Sequence, residues 1–276
     1  MRLKIFIDWV YGEGFTSPSK LWEYSSLNDC DIILTIDLLT KYDRNVLKIL
    51  WLMEPRSISD VNVVRRNEIS PYDDDDGLYD YVATHSRNLL FKNSKMIYVD
   101  SPTPSWVDDQ KIFSKIKNIS MICSNKSMCA EHMYRLDIRK KLIETIDIDV
   151  YGVGFVEISS KNYGLNDYRF SVAMENDNTY GYYSEKLLDC FLTGTIPIYQ
   201  GGEYAYEIFD KNGIISLDYF LKNINEFDYQ FEYNSRFDAI KSNFEIAKYK
   251  NKVFCEQLDF IVEKILIDNR IKVDRA

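Results

Sequence analysis

Two α/β domains built on mainly parallel sheets are what this sequence predicts, on three observations. Short apolar, β-branched runs recur along the chain, and several lack the polar alternation of a half-exposed strand, as expected where helices cover both faces of a sheet. Helical patterns fall between these runs, and such alternation implies parallel strands joined by crossovers. At 276 residues with 46% hydrophobic content, the chain exceeds the usual size of one domain and can fill more than one core.

The expected strands lie at 3–9, 31–36, 46–53, 79–84 and 96–99, then at 119–123, 148–151, 168–174, 195–199 and 213–217. Helical patterns run over 133–146 and 184–192, and over a long stretch from about 235 to 267. Between the two sets of strands, SPTPSW breaks regular structure and a Lys-rich segment follows. This places an amino-terminal domain at 1–110 and a carboxy-terminal domain at 111–276, whose last helix can pack back on the first domain. Open sheets of this kind bind ligands outside the carboxyl ends of their strands.

The formal charge of -9 excludes a surface built for nucleic acid, which needs a basic face. Five cysteines, Cys30, Cys123, Cys129, Cys190 and Cys255, are scattered without CxxC spacing. That pattern indicates neither a disulfide framework nor a zinc site and fits a reducing, cytoplasmic setting. The start MRLKIFIDWVYGEG lacks the apolar core and cleavage site of a signal peptide. No run reaches the ~20 apolar residues of a transmembrane helix. Peripheral contact with a membrane face stays open, although the acidic charge offers no electrostatic anchor.

The chemistry concentrates between Phe170 and Gly201, in FSVAMENDNTYGYYSEKLLDCFLTGTIPIYQGG. This reads as a strand, a polar loop, a helix, a turn, a second strand and a glycine pair. Ser184 is a helix cap by type, with Glu185 and Lys186 in the first turn. A helix amino terminus presents unpaired N–H groups and the positive end of a dipole to an anion, and Lys186 adds a full charge. Tyr182 can close over a base or ribose, and Glu185 can accept from ribose hydroxyls. The same residues also describe an amphipathic helix docked on a sheet.

The order FxxxxEN followed by YGYxSEKLxDxFxxGTIPIYxG resembles the donor-binding signature of the α-1,3/4-fucosyltransferase family, with Ser184 where a threonine is common. Upstream, ISMICSNK, then Arg135, then DVYG at 149–152 resembles a second element of that family. The resemblance covers about residues 119 to 220. It implies a GT-B fold, two Rossmann-like domains facing across a cleft, and a GDP-fucose donor held by the second. By position it implies donor ligands at Arg135, Glu175, Asn176, Tyr182, Ser184, Glu185 and Lys186. Arg135 takes the diphosphate, which suits a guanidinium that can bind two phosphate oxygens at once.

Transfer with inversion needs a base opposite the leaving diphosphate. Glu54 follows the apolar run VLKILWLM and precedes Pro55, which places it at the end of a buried strand in the acceptor domain. The family has a base glutamate after such a strand, and the flanking MEPRSI keeps its pattern in part. Asp8 closes another strand and is a second candidate, or caps the following loop. The acidic run at 73–76 and IDID at 146–149 superficially resemble a DxD metal site, but they read as a solvated loop and a strand approach. The resemblance, in which Arg and Lys bind the diphosphate, implies no required metal and no cofactor. Two histidines, His85 and His132, are too few and too far apart for a metal pair. His132 shares a helix face with Arg135 or, as the favoured reading, is a satisfied surface histidine, and Trp106 at the domain break is a core residue or lines an acceptor cleft.

The resemblance thus implies an inverting fucosyltransferase acting on a glycan hydroxyl. Another GDP sugar such as a deoxyheptose, a UDP sugar, or a non-catalytic nucleotide- or glycan-binding module are the competing readings.

Overall fold

The computed structural model describes residues 2–9, 19–60, 70–73, 77–100 and 103–270. The chain divides into two compact units, one of 1–103 with 252–276 and one of 104–251. Among the described residues no helix is long and apolar enough to cross a membrane.

The first unit holds β1 (Leu3–Trp9), β2 (Trp22–Tyr24), β3 (Ile32–Ile36), β4 (Leu47–Leu52), β5 (Tyr81–Thr84) and β6 (Lys95–Tyr98). They form one sheet in the order β2-β1-β3-β4-β5-β6, with every pairing parallel. The second unit holds β7 (Lys117–Ile122), β8 (Asp149–Tyr151), β9 (Tyr168–Met174), β10 (Ile196–Gln200) and β11 (Ile215–Ser216). Its sheet, also parallel throughout, runs β11-β10-β9-β7-β8. In both sheets the first strand lies between the second and the third. In the second sheet this makes a switch point between β7 and β9, where crossovers leave toward opposite faces and a crevice opens.

The helices that lie wholly within the described residues are α1 (Ala130–Thr145), α2 (Glu185–Leu192), α3 (Ala205–Ile208), α4 (Leu217–Asn223), α5 (Tyr229–Ser235), α6 (Phe237–Lys250) and α7 (Phe254–Asp268). On one face of the second sheet, Ile119, Met121, Phe170, Val172 and Ile198 pack against Ile138 and Leu142 of α1 and Phe220 of α4. On the other, Ala173 and Tyr199 pack against Leu187, Leu188 and Phe191 of α2. Burial on both faces is why these strands read as unbroken apolar runs.

Three features differ from the sequence expectation. β2 is a three-residue edge strand, too short for a periodic signal. The helical stretch expected from 235 to 267 is two helices broken at 251–253. The second of them, α7, lays Leu258, Ile261, Val262 and Ile265 on the first sheet with Ile5, Leu34, Ile49 and Trp51. Asp259 fixes it there by accepting the Trp22 indole N–H at 2.7 Å and the Ser19 hydroxyl at 2.5 Å.

The junction expected at 110/111 falls between Thr103 and Pro104. The physical reason is that the residues after Pro104 are bonded into the second unit. Ser105 N–H donates to the Asn251 side chain at 2.8 Å, Val107 is buried in the second unit's core, and Asp108 N–H donates to Asn162 at 2.7 Å. Further on, the Lys115 ammonium ties together the carbonyls of Leu165 and Thr193 and the Thr195 hydroxyl at 2.8–3.1 Å.

Candidate functional site

At the carboxyl ends of β7 and β9 the second unit brings together side chains from three segments. β9 delivers Glu175 and Asn176, α1 delivers His132 and Arg135, and the first turn of α2 delivers Ser184, Glu185 and Lys186. The strand order dictates this meeting, since the crevice at a switch point opens where these elements start.

Glu175 is buried, and its carboxylate accepts the Ser184 N–H at 2.9 Å and the Ser184 hydroxyl at 2.6 Å. Lys186 reaches the same carboxylate at 3.3 Å and the Ser184 oxygen at 2.9 Å. Ser184 also caps α2 by accepting the Lys186 N–H at 3.4 Å. Glu175 and Ser184, expected as donor ligands, thus have their polar groups engaged in building the helix start. Gly201 permits this arrangement, because a Cβ there would lie 2.8 Å from Glu175 Cγ and 2.1 Å from the Tyr199 hydroxyl oxygen.

Lys186 stays an ammonium. Burial lowers its pKa, but Glu185 and Glu175 more than offset that, while Lys161 and Arg135 oppose them. Arg135 is 6% exposed, and one guanidinium nitrogen donates to the Asn176 side-chain oxygen at 3.2 Å. Its Nε is buried without a hydrogen-bond partner among the described residues. Burial draws its pKa below the usual arginine range, yet a guanidinium remains charged. Two cations and a capped helix start thus converge on one crevice, which is chemistry suited to an anion.

His132 is buried and accepts the Met128 N–H at 3.2 Å. Burial first, then the charge of Arg135, hold its pKa down to about 4, so the ring is neutral at physiological pH. Tyr182, expected to close over a base or ribose, is also buried, at 4% exposure. Gly152 of DVYG sits at φ 120° with its Cα hydrogen side against the Cys123 carbonyl, where a Cβ would come within 2.1 Å. That close approach seats the β8 end against the β7 end beneath the crevice.

Two charged residues of this cluster have no counterpart in the sequence expectations. Lys161, in the 3₁₀ turn Lys161–Gly164 before β9, pairs with Glu185 at 3.2 Å and Asp189 at 2.7 Å. Asp189 accepts from the Ser105 hydroxyl and the Trp106 N–H, each at 2.7 Å. The signal for Asp189 was a carboxylate inside the apolar run LLDCFL, where a charge must find a partner if the helix is covered. α2 is covered on all sides, with Lys186 its one residue short of full burial, and it docks on the sheet through Leu187, Leu188 and Phe191.

The remaining candidates lie elsewhere. Glu54 belongs to the first unit, half-buried just past β4; its N–H donates to Asp37 at 3.0 Å and its carbonyl accepts from Tyr72 at 2.6 Å. Asp8, on β1, accepts from the hydroxyls of Tyr42 and Thr40. Asp149 begins β8, at the far end of the sheet from the crevice, and accepts the Tyr168 hydroxyl at 2.5 Å. Residues 74–76 of the acidic run lie outside the described residues, and Asp73 pairs with Arg56 at 2.7 Å. Among the described residues no three His, Cys, Asp or Glu groups could share a metal ion.

Comparison with known proteins bears on the family and the fold. A curated relative, an alpha-(1,3)-fucosyltransferase of Helicobacter pylori, is 36% identical over 69 residues, 25% of this chain and 14% of that protein. A crystal structure of an alpha1,3-fucosyltransferase superposes with a TM-score of 0.57 at 16% identity, over 97% of this chain and 90% of that one. A crystal structure of an alpha1,3-fucosyltransferase with GDP matches at 0.51 and 16% identity, over 94% and 89%. One with GDP-fucose matches at 0.51 and 15% identity, over 95% and 90%. The two parallel α/β units are those of the GT-B glycosyltransferases. The family model described as "Glycosyltransferase family 10 (fucosyltransferase) C-term" matches residues 114–266, the span that contains β7, β9 and the whole crevice. The chain belongs to glycosyltransferase family 10, the fucosyltransferases.

Proposed function

We propose that this chain transfers fucose from GDP-fucose to a glycan hydroxyl with inversion. The observation that carries the reading is the convergence of Arg135, Asn176, Glu185 and Lys186 at the β7/β9 switch point. The solved relatives with GDP and with GDP-fucose, which share the fold, support it.

Arg135 and Lys186 hold the diphosphate, and Glu185 accepts from the ribose hydroxyls. Asn176, fixed by Arg135, lies beside the sugar. The acceptor oxygen attacks the anomeric carbon of fucose as the bond from that carbon to the β-phosphate oxygen breaks, and GDP leaves with the electron pair. The acceptor proton goes to Glu54 of the first unit. Arg135 and Lys186 stabilise the charge growing on the leaving group, the role a divalent ion takes in other transferases, so no metal is required. The scattered spacing of the five cysteines supports a reducing cytoplasmic setting.

Calorimetric titration with GDP, UDP, CMP and ADP, followed by assay of GDP-fucose hydrolysis and transfer, tests the proposal. GDP binds best, chelator leaves turnover intact, and Arg135→Ala and Lys186→Ala each cost at least about 100-fold in kcat/KM. Preference for UDP changes the donor. Glu54→Gln keeps GDP affinity and loses turnover; equal turnover in that variant removes Glu54 as the base. Absence of any turnover in the wild type, with GDP still bound, makes the chain a binding module.

A further inference from the structure

We propose that Lys161 is a positioning residue for the donor: it orients the Glu185 carboxylate toward the ribose and keeps Lys186 available to the diphosphate. The inference rests on the donor-site reading above.

Charge balance shows why such a residue is needed. Glu175 and Glu185 lie 3.3 Å and 3.8 Å from the Lys186 ammonium, and Asp189 follows Glu185 one helical turn later. Three carboxylates thus crowd the first two turns of α2, against one lysine from the helix itself. A carboxylate that collapsed onto Lys186 would occupy the charge that a phosphate oxygen has to meet.

Glu175 already meets Lys186, and Lys161 acts from outside the helix on the second carboxylate: the Glu185 oxygen that lies 3.8 Å from Lys186 is held at 3.2 Å by Lys161. Its ammonium bridges Glu185 at 3.2 Å and Asp189 at 2.7 Å, spanning the i, i+4 pair. Its side chain is 17% exposed and those of its two partners 9% and 2%, so these ion pairs are little screened by water. The Trp106 ring covers the ammonium at 4.4 Å, a cation–π contact that also closes it to solvent. Asp189 is anchored in turn by the Ser105 hydroxyl and the Trp106 N–H. Burial lowers the Lys161 pKa, but Glu185 and Asp189 outweigh it and hold the group charged. The result is a fixed rather than a mobile Glu185, with one oxygen held on the side of Lys161.

Selectivity for the ribose hydroxyls reads this role, because a purely structural lysine would change all affinities together. GDP and 2′,3′-dideoxy-GDP are titrated into wild type, Lys161→Met, Lys161→Arg and Glu185→Gln, each first shown to be folded by its melting curve. Wild type favours GDP by about tenfold or more, as expected for hydrogen bonds to a charged acceptor. Lys161→Met lowers that ratio to about twofold, Lys161→Arg retains most of it, and Glu185→Gln abolishes it. Wild-type selectivity in folded Lys161→Met overturns the inference while leaving the donor site standing. Failure of wild type to bind GDP overturns the donor-site reading and this inference with it. Should Lys161→Met not fold, Asp189→Asn takes its place, since it removes the second anchor of the same ammonium; a ratio unchanged in it overturns the inference equally.

Discussion

Asp37, in left-handed backbone conformation at φ 51°, accepts the N–H of Glu54 at 3.0 Å and that of Met53 at 2.8 Å. A non-glycine residue seldom adopts this conformation, and it persists where surrounding bonds hold it. Here they link the end of β3 to the residue proposed as the base. Desolvation, then the charge of Glu54, raise the Asp37 pKa well above the ordinary carboxyl range, although both N–H bonds pull it down.

The raised value sets a pH dependence. A carboxyl whose folded pKa exceeds its unfolded one contributes its full stability below the unfolded value of about 3.9, and loses it as pH rises through the folded value. Asp37→Asn keeps an oxygen for both N–H groups and suits the left-handed backbone. The variant is therefore more stable than wild type at pH 8, with the difference closing toward pH 4. Melting temperatures across that range check it, and a variant less stable at pH 8 refutes it.

His132 gives the opposite limb. Its pKa is lowered to about 4, so the folded state resists protonation, and stability is lost as pH falls from the unfolded value of about 6.5 toward 4. The loss is at most on the order of 3 kcal/mol, and His132→Gln flattens it. Because the ring stays neutral, GDP affinity between pH 6 and 8 does not follow a histidine titration; calorimetry at several pH values measures this directly.

At Gly201 the prediction is steric. An alanine Cβ would meet the Tyr199 hydroxyl oxygen at 2.1 Å and Glu175 Cγ at 2.8 Å, displacing the carboxylate that holds Ser184 and Lys186. Gly201→Ala therefore costs about 2 kcal/mol or more of stability and weakens GDP binding together with it. The Tyr199 hydroxyl is buried without a partner among the described residues, so Tyr199→Phe alone is near neutral. Combined with Gly201→Ala, it recovers part of the loss; strict additivity of the two changes in denaturant melts would contradict the geometry.

Arg135→Lys separates charge from shape. Lysine keeps a positive charge but cannot both engage Asn176 and present a planar fork to two phosphate oxygens. GDP affinity falls by about tenfold or more, while guanosine, which lacks phosphates, binds as it does to wild type. Equal losses for both ligands would place Arg135 away from the diphosphate.

Much of the second unit was legible because its physics is local. β7, β9 and β10 are apolar runs bounded by turns, and the Ser-Glu-Lys start of α2 carries its own capping chemistry. Contacts that join distant segments were not legible. Lys161 sits in a polar stretch, SSKNYG, that reads as loop, and nothing nearby in sequence shows that it meets Glu185 and Asp189. Glu175 is implied as a ligand only by its position in the family signature; its burial against Ser184 reveals a structural role. Tyr182 likewise has the right chemistry for a base but is packed away. In the first unit, Asp37 carries no motif, and its unusual backbone comes from tertiary bonds to Met53 and Glu54.

Placing α7 on the sheet of the first unit has a consequence for the order of events on the ribosome. Strands β1 to β6 emerge early, yet the apolar face made by Ile5, Leu34, Ile49 and Trp51 is covered by residues 258–265, which are synthesised after the entire second unit. At about 5–20 residues per second, that face waits on the order of ten seconds for its cover, while residues 104–251 already contain everything their own core requires. Nascent chains stalled before α7 should therefore protect the second unit from protease and leave the first open, with its sheet in need of a chaperone until translation is complete.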